Sequence, residues 1–260
     1  MADQTFAGDG RLKIGSLLAR SYQILLGNLS AFLVIALAAG SPHVIFYSWM
    51  NYGPRLFADA GDRALMATAG DALIAILEIV LSFVATGVIV YGTLRELQGQ
   101  SGGFRETIGR GLKSLLPVIL VSLAATLAVL LGLVLLVLPG IFFLVVFWVA
   151  VPVTVIERRG VRASLERSRE LTRGYRWPIL ALLLLDLAMS IGFAFVPELF
   201  LDYKGAFLRS VIIEWAGQSL IVAFWSVVSA VTYVELKRIK EGARRYRETH
   251  RKPDNKSGKE

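Results

Sequence analysis

Few residues in this sequence could do chemistry, and the best placed are acids and arginines beside long apolar runs. Asp186 falls near the middle of the apolar run 177–196, and Glu78 lies about a turn and a half into the run 72–94. An ionisable side chain inside such a run is costly to keep in hydrocarbon, which makes it the first functional candidate. No Lys or Arg lies at matching depth to neutralise Asp186. Two roles are open to it. It could belong to a proton or cation pathway, or it could bond to Ser or Thr on neighbouring helices as a packing contact. Glu214 comes near the outer end of its run, and His43 has no evident role.

The second candidate set lies in the segment from Glu157 to Arg176. At helical spacing, Arg158, Arg162, Arg169, Arg173 and Arg176 fall within about 60° of arc, beside an apolar face with Val161, Leu165, Leu171 and Tyr175. A helix of that kind lies flat in a membrane interface. Guanidinium groups hold phosphate through paired hydrogen bonds, so the stripe could contact anionic lipid head groups. The plainer alternative is that these arginines only fix topology.

Other chemistry is excluded by what is missing. The chain has no Cys and only two His, so disulfides, thiolate metal sites and paired-imidazole sites drop out. No Walker loop, GxSxG elbow, HExxH or dinucleotide fingerprint is present. No metal or cofactor is expected, and the segments between apolar runs are too short to hold a soluble catalytic domain. The protein is therefore expected not to be an enzyme. Nucleic-acid binding is not expected either, because the basic tail has no series of stacking aromatics.

The elements that must position these residues follow from composition. Hydrophobic residues make up 55% of the 260 residues, charged residues 18%, and the mean hydropathy is +0.60. A soluble chain carries about 25% charged residues. Runs near 29–50, 72–94, 115–138, 141–156, 177–196 and 211–236 predict six transmembrane helices in one integral membrane domain, 1–240. The fourth is short, because Pro139 and Gly140 are expected to form the turn before it; it either crosses or forms a re-entrant segment. Residues 241–260 form a basic tail that is expected to fray after about His250.

Charge sets the expected orientation. The N-terminal segment, the second loop, the 157–176 segment and the stretch from Lys237 onward hold three, four, seven and ten Lys or Arg, 24 together, against four in the alternate connections. Both termini are thus placed in the cytoplasm, with the spans in the plasma (inner) membrane.

An internal repeat adds architecture. Leu18-x-Arg20-Ser21-x-x-Ile24-x-x-Gly27 precedes the first span, and Leu165-x-Arg167-Ser168-x-x-Leu171-x-x-Gly174 precedes the fifth. A weaker copy, Ile108-x-Arg110-Gly111-x-x-Ser114-x-x-Pro117, precedes the third. The expected fold is all-α: six transmembrane helices as three hairpins, each introduced by a cytoplasmic, interfacial amphipathic helix.

Three segments resemble a known family. They are Leu138-Pro139-Gly140-Ile141-Phe142 through Glu157, then Ser164-x-x-Arg167-Ser168-x-x-Leu171-Thr172-x-Gly174-x-x-Trp177, and Tyr233-x-Glu235-Leu236-Lys237-x-x-Lys240-Glu241-Gly242. The sequence is similar to the membrane domain fused to some bacterial glycerophosphoryl diester phosphodiesterases, and to related stand-alone inner-membrane proteins of prokaryotes. The resemblance implies a multi-helix membrane module often without an assigned activity. The phosphodiesterase barrel and its metal ligands have no counterpart here, so no catalytic role transfers to any residue. The expected function is a non-enzymatic membrane protein that organises anionic lipid or a membrane partner, with a small transporter or channel using Asp186 and Glu78 as the alternative.

Overall fold

The computed structural model describes residues 12–52, 60–99, 115–158, 160–195 and 207–249. All regular structure among them is helical: α1 Ile14–Gly27, α2 Leu29–Tyr52, α3 Ala60–Leu97, α4 Leu115–Leu135, α5 Val137–Phe147, α6 Ala150–Glu157, α7 Val161–Thr172, α8 Arg176–Ala194 and α9 Phe207–Thr249. Among the described residues, five stretches are long and apolar enough to cross a membrane. A sixth is reached if α1 and the described start of α2, bent by 88° at Asn28, count as one. The middle copy of the repeat, and the tail after Thr249, lie almost wholly outside the described residues.

Helix α9 is the centre of the bundle. The most apolar 18-residue window within Val211–Gly242 is 72% buried, whereas that of α8 is only 11% buried, so α9 forms core and α8 forms outer wall. Helices α1, α2, α3, α6, α7 and α8 all pack on α9. Ile221, Val227, Val228, Val231, Tyr233 and Leu236 supply its buried side chains. Outward faces carry aliphatic residues such as Leu73, Ile76, Leu130, Leu184 and Leu187.

The hairpin of α4 and α5 turns at a different place from the one expected. Leu136 alone is extended (φ −166°, ψ 144°), and α5 already begins at Val137. Pro139 and Gly140 therefore sit in the first turn of a helix and not in the loop before it. Proline is tolerated there because the first-turn N–H groups have no helical acceptor. The fourth apolar stretch thereby gains length and runs over Val137–Glu157, 21 residues, enough to cross. Glycine at 140 has a further reason. A Cβ placed on Gly132 would lie 2.8 Å from the Gly140 nitrogen, and one on Gly140 would lie 2.8 Å from the Leu133 nitrogen. Backbones approach this closely only without side chains.

The fourth stretch is not straight. It jogs between Phe147 and Ala150, and Pro152 withholds the N–H that the Trp148 carbonyl needs. The Ser229 hydroxyl on α9 donates to that carbonyl at 2.9 Å. Ser168 on α7 donates to the Val146 carbonyl at 2.7 Å. Hydroxyls from two other helices thus satisfy acceptors freed by the jog.

Three helices also share a signature with a Thr three residues before a Glu. Thr93-x-x-Glu96 closes α3, Thr154-x-x-Glu157 closes α6, and Thr232-x-x-Glu235 recurs in α9. Each Thr is buried, and each hydroxyl donates to the carbonyl four residues back, at 2.9, 2.8 and 2.7 Å. Each lies five residues after a buried Val: Val88, Val149 and Val227. In the outer copies of the earlier repeat, Ser21 and Ser168 are alike fully buried.

Candidate functional site: a cavity lined by Asp186

One cavity of about 340 Å³ opens among α3, α5–α6, α8 and α9. Thr86 lines it from α3, Trp148 and Val151 from the jogged stretch, Asp186 and Ser190 from α8, and Gln218, Trp225, Ser226 and Ser229 from α9. The polar groups converge because of simple spacing. Asp186 and Ser190 are four apart on one face of α8, while 218, 222, 225 and 229 step by four, three and four along α9, with 226 four beyond 222.

Hydrogen bonding gives the cavity its chemical character. The Ser226 hydroxyl donates to the Val222 carbonyl at 2.7 Å and lies 3.4 Å from Thr86 Oγ1. With Ser229 committed to Trp148, both serine protons are used, which leaves oxygen lone pairs as acceptors. The indoles behave oppositely. Trp148 Nε1 and Trp225 Nε1 are buried and have no acceptor among the described residues, whereas the Trp215 indole donates to the Leu37 carbonyl at 3.2 Å. Trp148 and Trp225 stand edge to face, 6.0 Å between ring centres. Asp186 makes no hydrogen bond or ion pair among the described residues, and no Lys, Arg or His lines the cavity. The other acid proposed from sequence, Glu78, does not line it.

No known protein family, curated protein or solved structure matches this chain. The site has to be read from its own geometry.

A second cluster lies at the basic end of the bundle. The segment from Glu157 to Arg176 is not one helix. Arg158 adopts a left-handed conformation (φ 47°), Gly160 caps α7, and Gly174 turns at φ 94°. The five arginines are therefore spread over three elements. Arg158, Arg162, Arg169 and Arg173 are exposed, and Arg162 pairs with Glu166 at 3.0 Å. Arg176 departs from them: its guanidinium stacks 4.7 Å over Phe142, and its Nε is buried without an acceptor among the described residues.

The arginine that organises this end is one the stripe left out. Arg167 bonds Glu157 at 3.4 Å and Glu170 at 3.1 Å. The Tyr233 hydroxyl donates to the same Glu157 oxygen at 3.1 Å, which ties α6, α7 and α9 together. Burial works against the charge on Arg167, but Glu170 and Glu157 outweigh it and raise its proton affinity above the ordinary value. Lys240 on α9 donates to the Arg173 carbonyl at 2.8 Å. Nearby Tyr175 has its phenol pushed up by burial. The repeat had already marked Arg167 by its match to Arg20, which faces a small cleft with Glu235 between α1 and α9.

Proposed function

We propose that this is a non-enzymatic, multi-pass integral membrane protein that admits a small polar solute to the cavity around Asp186. It is read as six spans in three hairpins, with both termini on the cytoplasmic side of the inner membrane. The wide aliphatic outer faces and the charge asymmetry support the placement in a bilayer. The recurring Thr-x-x-Glu ends and the Arg-Ser helices support three related units. Likeness to the membrane domain of glycerophosphoryl diester phosphodiesterases remains a family proposal and assigns no activity.

The observation that carries the function is Asp186, which has neither partner nor counter-charge among the described residues and lines an open, mostly apolar cavity together with serine and tryptophan side chains. Unpaired polar groups away from water cost several kcal/mol, on the order of 2–7 each in apolar surroundings, so such a cavity is stable only when hydrated or occupied. A packing role for Asp186 would need the hydroxyl partner that its neighbours do not give it. Single cysteines test this in a chain that has none of its own. In proteoliposomes, Ser190→Cys is expected to react with a small hydrophilic thiol reagent, while Leu187→Cys on the outward face of α8 does not. Silence at both positions would refute a hydrated cavity.

A second reading concerns the basic end, where Arg158, Arg162, Arg169 and Arg173 are all exposed. Their placement fits contacts with anionic head groups, and a membrane partner protein could use the same surface. Liposome binding that ignores the loss of these charges would end the lipid part.

A further inference from the structure

Resting on the reading of the cavity as a solute site, we propose that it takes a small organic monocation bearing an oxygen acceptor in addition to its ammonium group, as in an amino alcohol. The inventory of groups points to that complement. Asp186 supplies negative charge with no cation among the lining residues, and Ser226 and Ser229 add oxygen lone pairs. An ammonium group with its three donors meets all of these. Trp148 and Trp225 line the same cavity, and their buried indole N–H groups have no acceptor among the described residues. They call for an acceptor on the same occupant, since buried donors left unpaired are expensive.

Alternatives leave part of the inventory unmet. A bare metal ion offers nothing to the indoles, and no metal-binding cluster is found among the described residues. A neutral diol leaves the carboxylate without a counter-charge, and an anion opposes it. At about 340 Å³ the cavity stands at the small end of ligand sites, which favours a compact occupant over a lipid.

The test uses the purified full-length protein in detergent and a matched series: aminohexanol, hexylamine, hexanediol and hydroxyhexanoate. Affinity is read from the shift in melting temperature. Aminohexanol is expected to bind most tightly, hexylamine more weakly, and the diol and hydroxyacid not at all. Asp186→Asn, checked for a monodisperse elution profile, should weaken aminohexanol about thirtyfold or more. Trp225→Phe should weaken aminohexanol about fivefold but leave hexylamine unchanged, because only the former offers an acceptor. Aminohexanol should also protect Ser190→Cys from the hydrophilic reagent. The proposed class is overturned if the diol or hydroxyacid binds as well as aminohexanol, if Asp186→Asn binds it normally, or if no member binds. Each of those results leaves the cavity reading standing so long as Ser190→Cys is labelled. Failure of that labelling removes the reading itself.

Discussion

The Ser229 hydroxyl holds the Trp148 carbonyl at 2.9 Å, doing for that carbonyl what the residue four positions on, Pro152, cannot. This bond joins the central helix to the jog of the fourth stretch and fixes one wall of the Asp186 cavity. Removing the hydroxyl strands a carbonyl away from water. Ser229→Ala is therefore expected to cost about 1–3 kcal/mol in chemical or thermal unfolding. Pro152→Ala restores a backbone donor, so the same substitution should cost distinctly less in that background. A double-mutant cycle on the purified protein measures the difference, and equal costs in both backgrounds would contradict the bond's role.

Glu157 is the least exposed carboxylate in its cluster, at 9%, and Arg167 is its charged partner. Arg167→Ala should destabilise by about 2–3 kcal/mol, less than the ~3–5 of a fully buried pair because Arg167 retains some solvent contact. Arg167→Lys should recover only part of this, since an ammonium cannot span Glu157 and Glu170 as a guanidinium fork does. The pH sign follows from the raised proton affinity of Arg167. Its contribution is complete below the ordinary arginine value and disappears only as pH climbs through the raised one. The Arg167→Ala penalty measured by thermal unfolding should show no decline from this group between mildly acid and mildly alkaline pH.

Two glycines should respond in opposite ways. Gly132→Ala puts a Cβ 2.8 Å from the Gly140 nitrogen and should cost about 1–3 kcal/mol through forced separation of α4 and α5. At Gly27 a Cβ meets nothing within 4 Å. Gly27→Ala, at the end of α1, should be neutral or stabilise by up to ~1 kcal/mol. Melting temperatures of the two variants decide it.

The position of the α4–α5 turn can be read by labelling intact cells. Leu136→Cys should react with a membrane-impermeant thiol reagent from outside, while Gly140→Cys, pressed against Leu133, should not. Reaction at residue 140 alone would return the turn to the Pro-Gly step.

At the basic end, charge removal should act in graded fashion. Each of Arg158, Arg162, Arg169 and Arg173 changed to Gln should weaken binding of the solubilised protein to anionic liposomes by about fivefold, near 1 kcal/mol per charge. Arg176→Gln should do less, because its guanidinium lies against Phe142. Raising salt should shrink the first effect.

Composition and spacing alone settled the all-helical class and the presence of several helices long enough to cross a membrane, because twenty-odd apolar residues in a row leave the backbone few other ways to satisfy itself. They also marked Asp186 and the Arg-Ser repeat, since a charge in an apolar run stands out without any fold. Tertiary structure decided what these residues meet. The turn at Leu136 was hidden because a Pro-Gly step reads as a loop, although a helix accepts proline in its first turn. Arg158 and Gly174 interrupt the arginine stripe through backbone conformations that side-chain periodicity does not register. Above all, the cavity is made from α3, α5–α6, α8 and α9, distant in sequence. Ser190, Ser226 and Ser229 pass for ordinary helix residues until packing sets them along one cavity with Asp186. A lone acid therefore becomes one group of a site only when four separate stretches of chain are brought together.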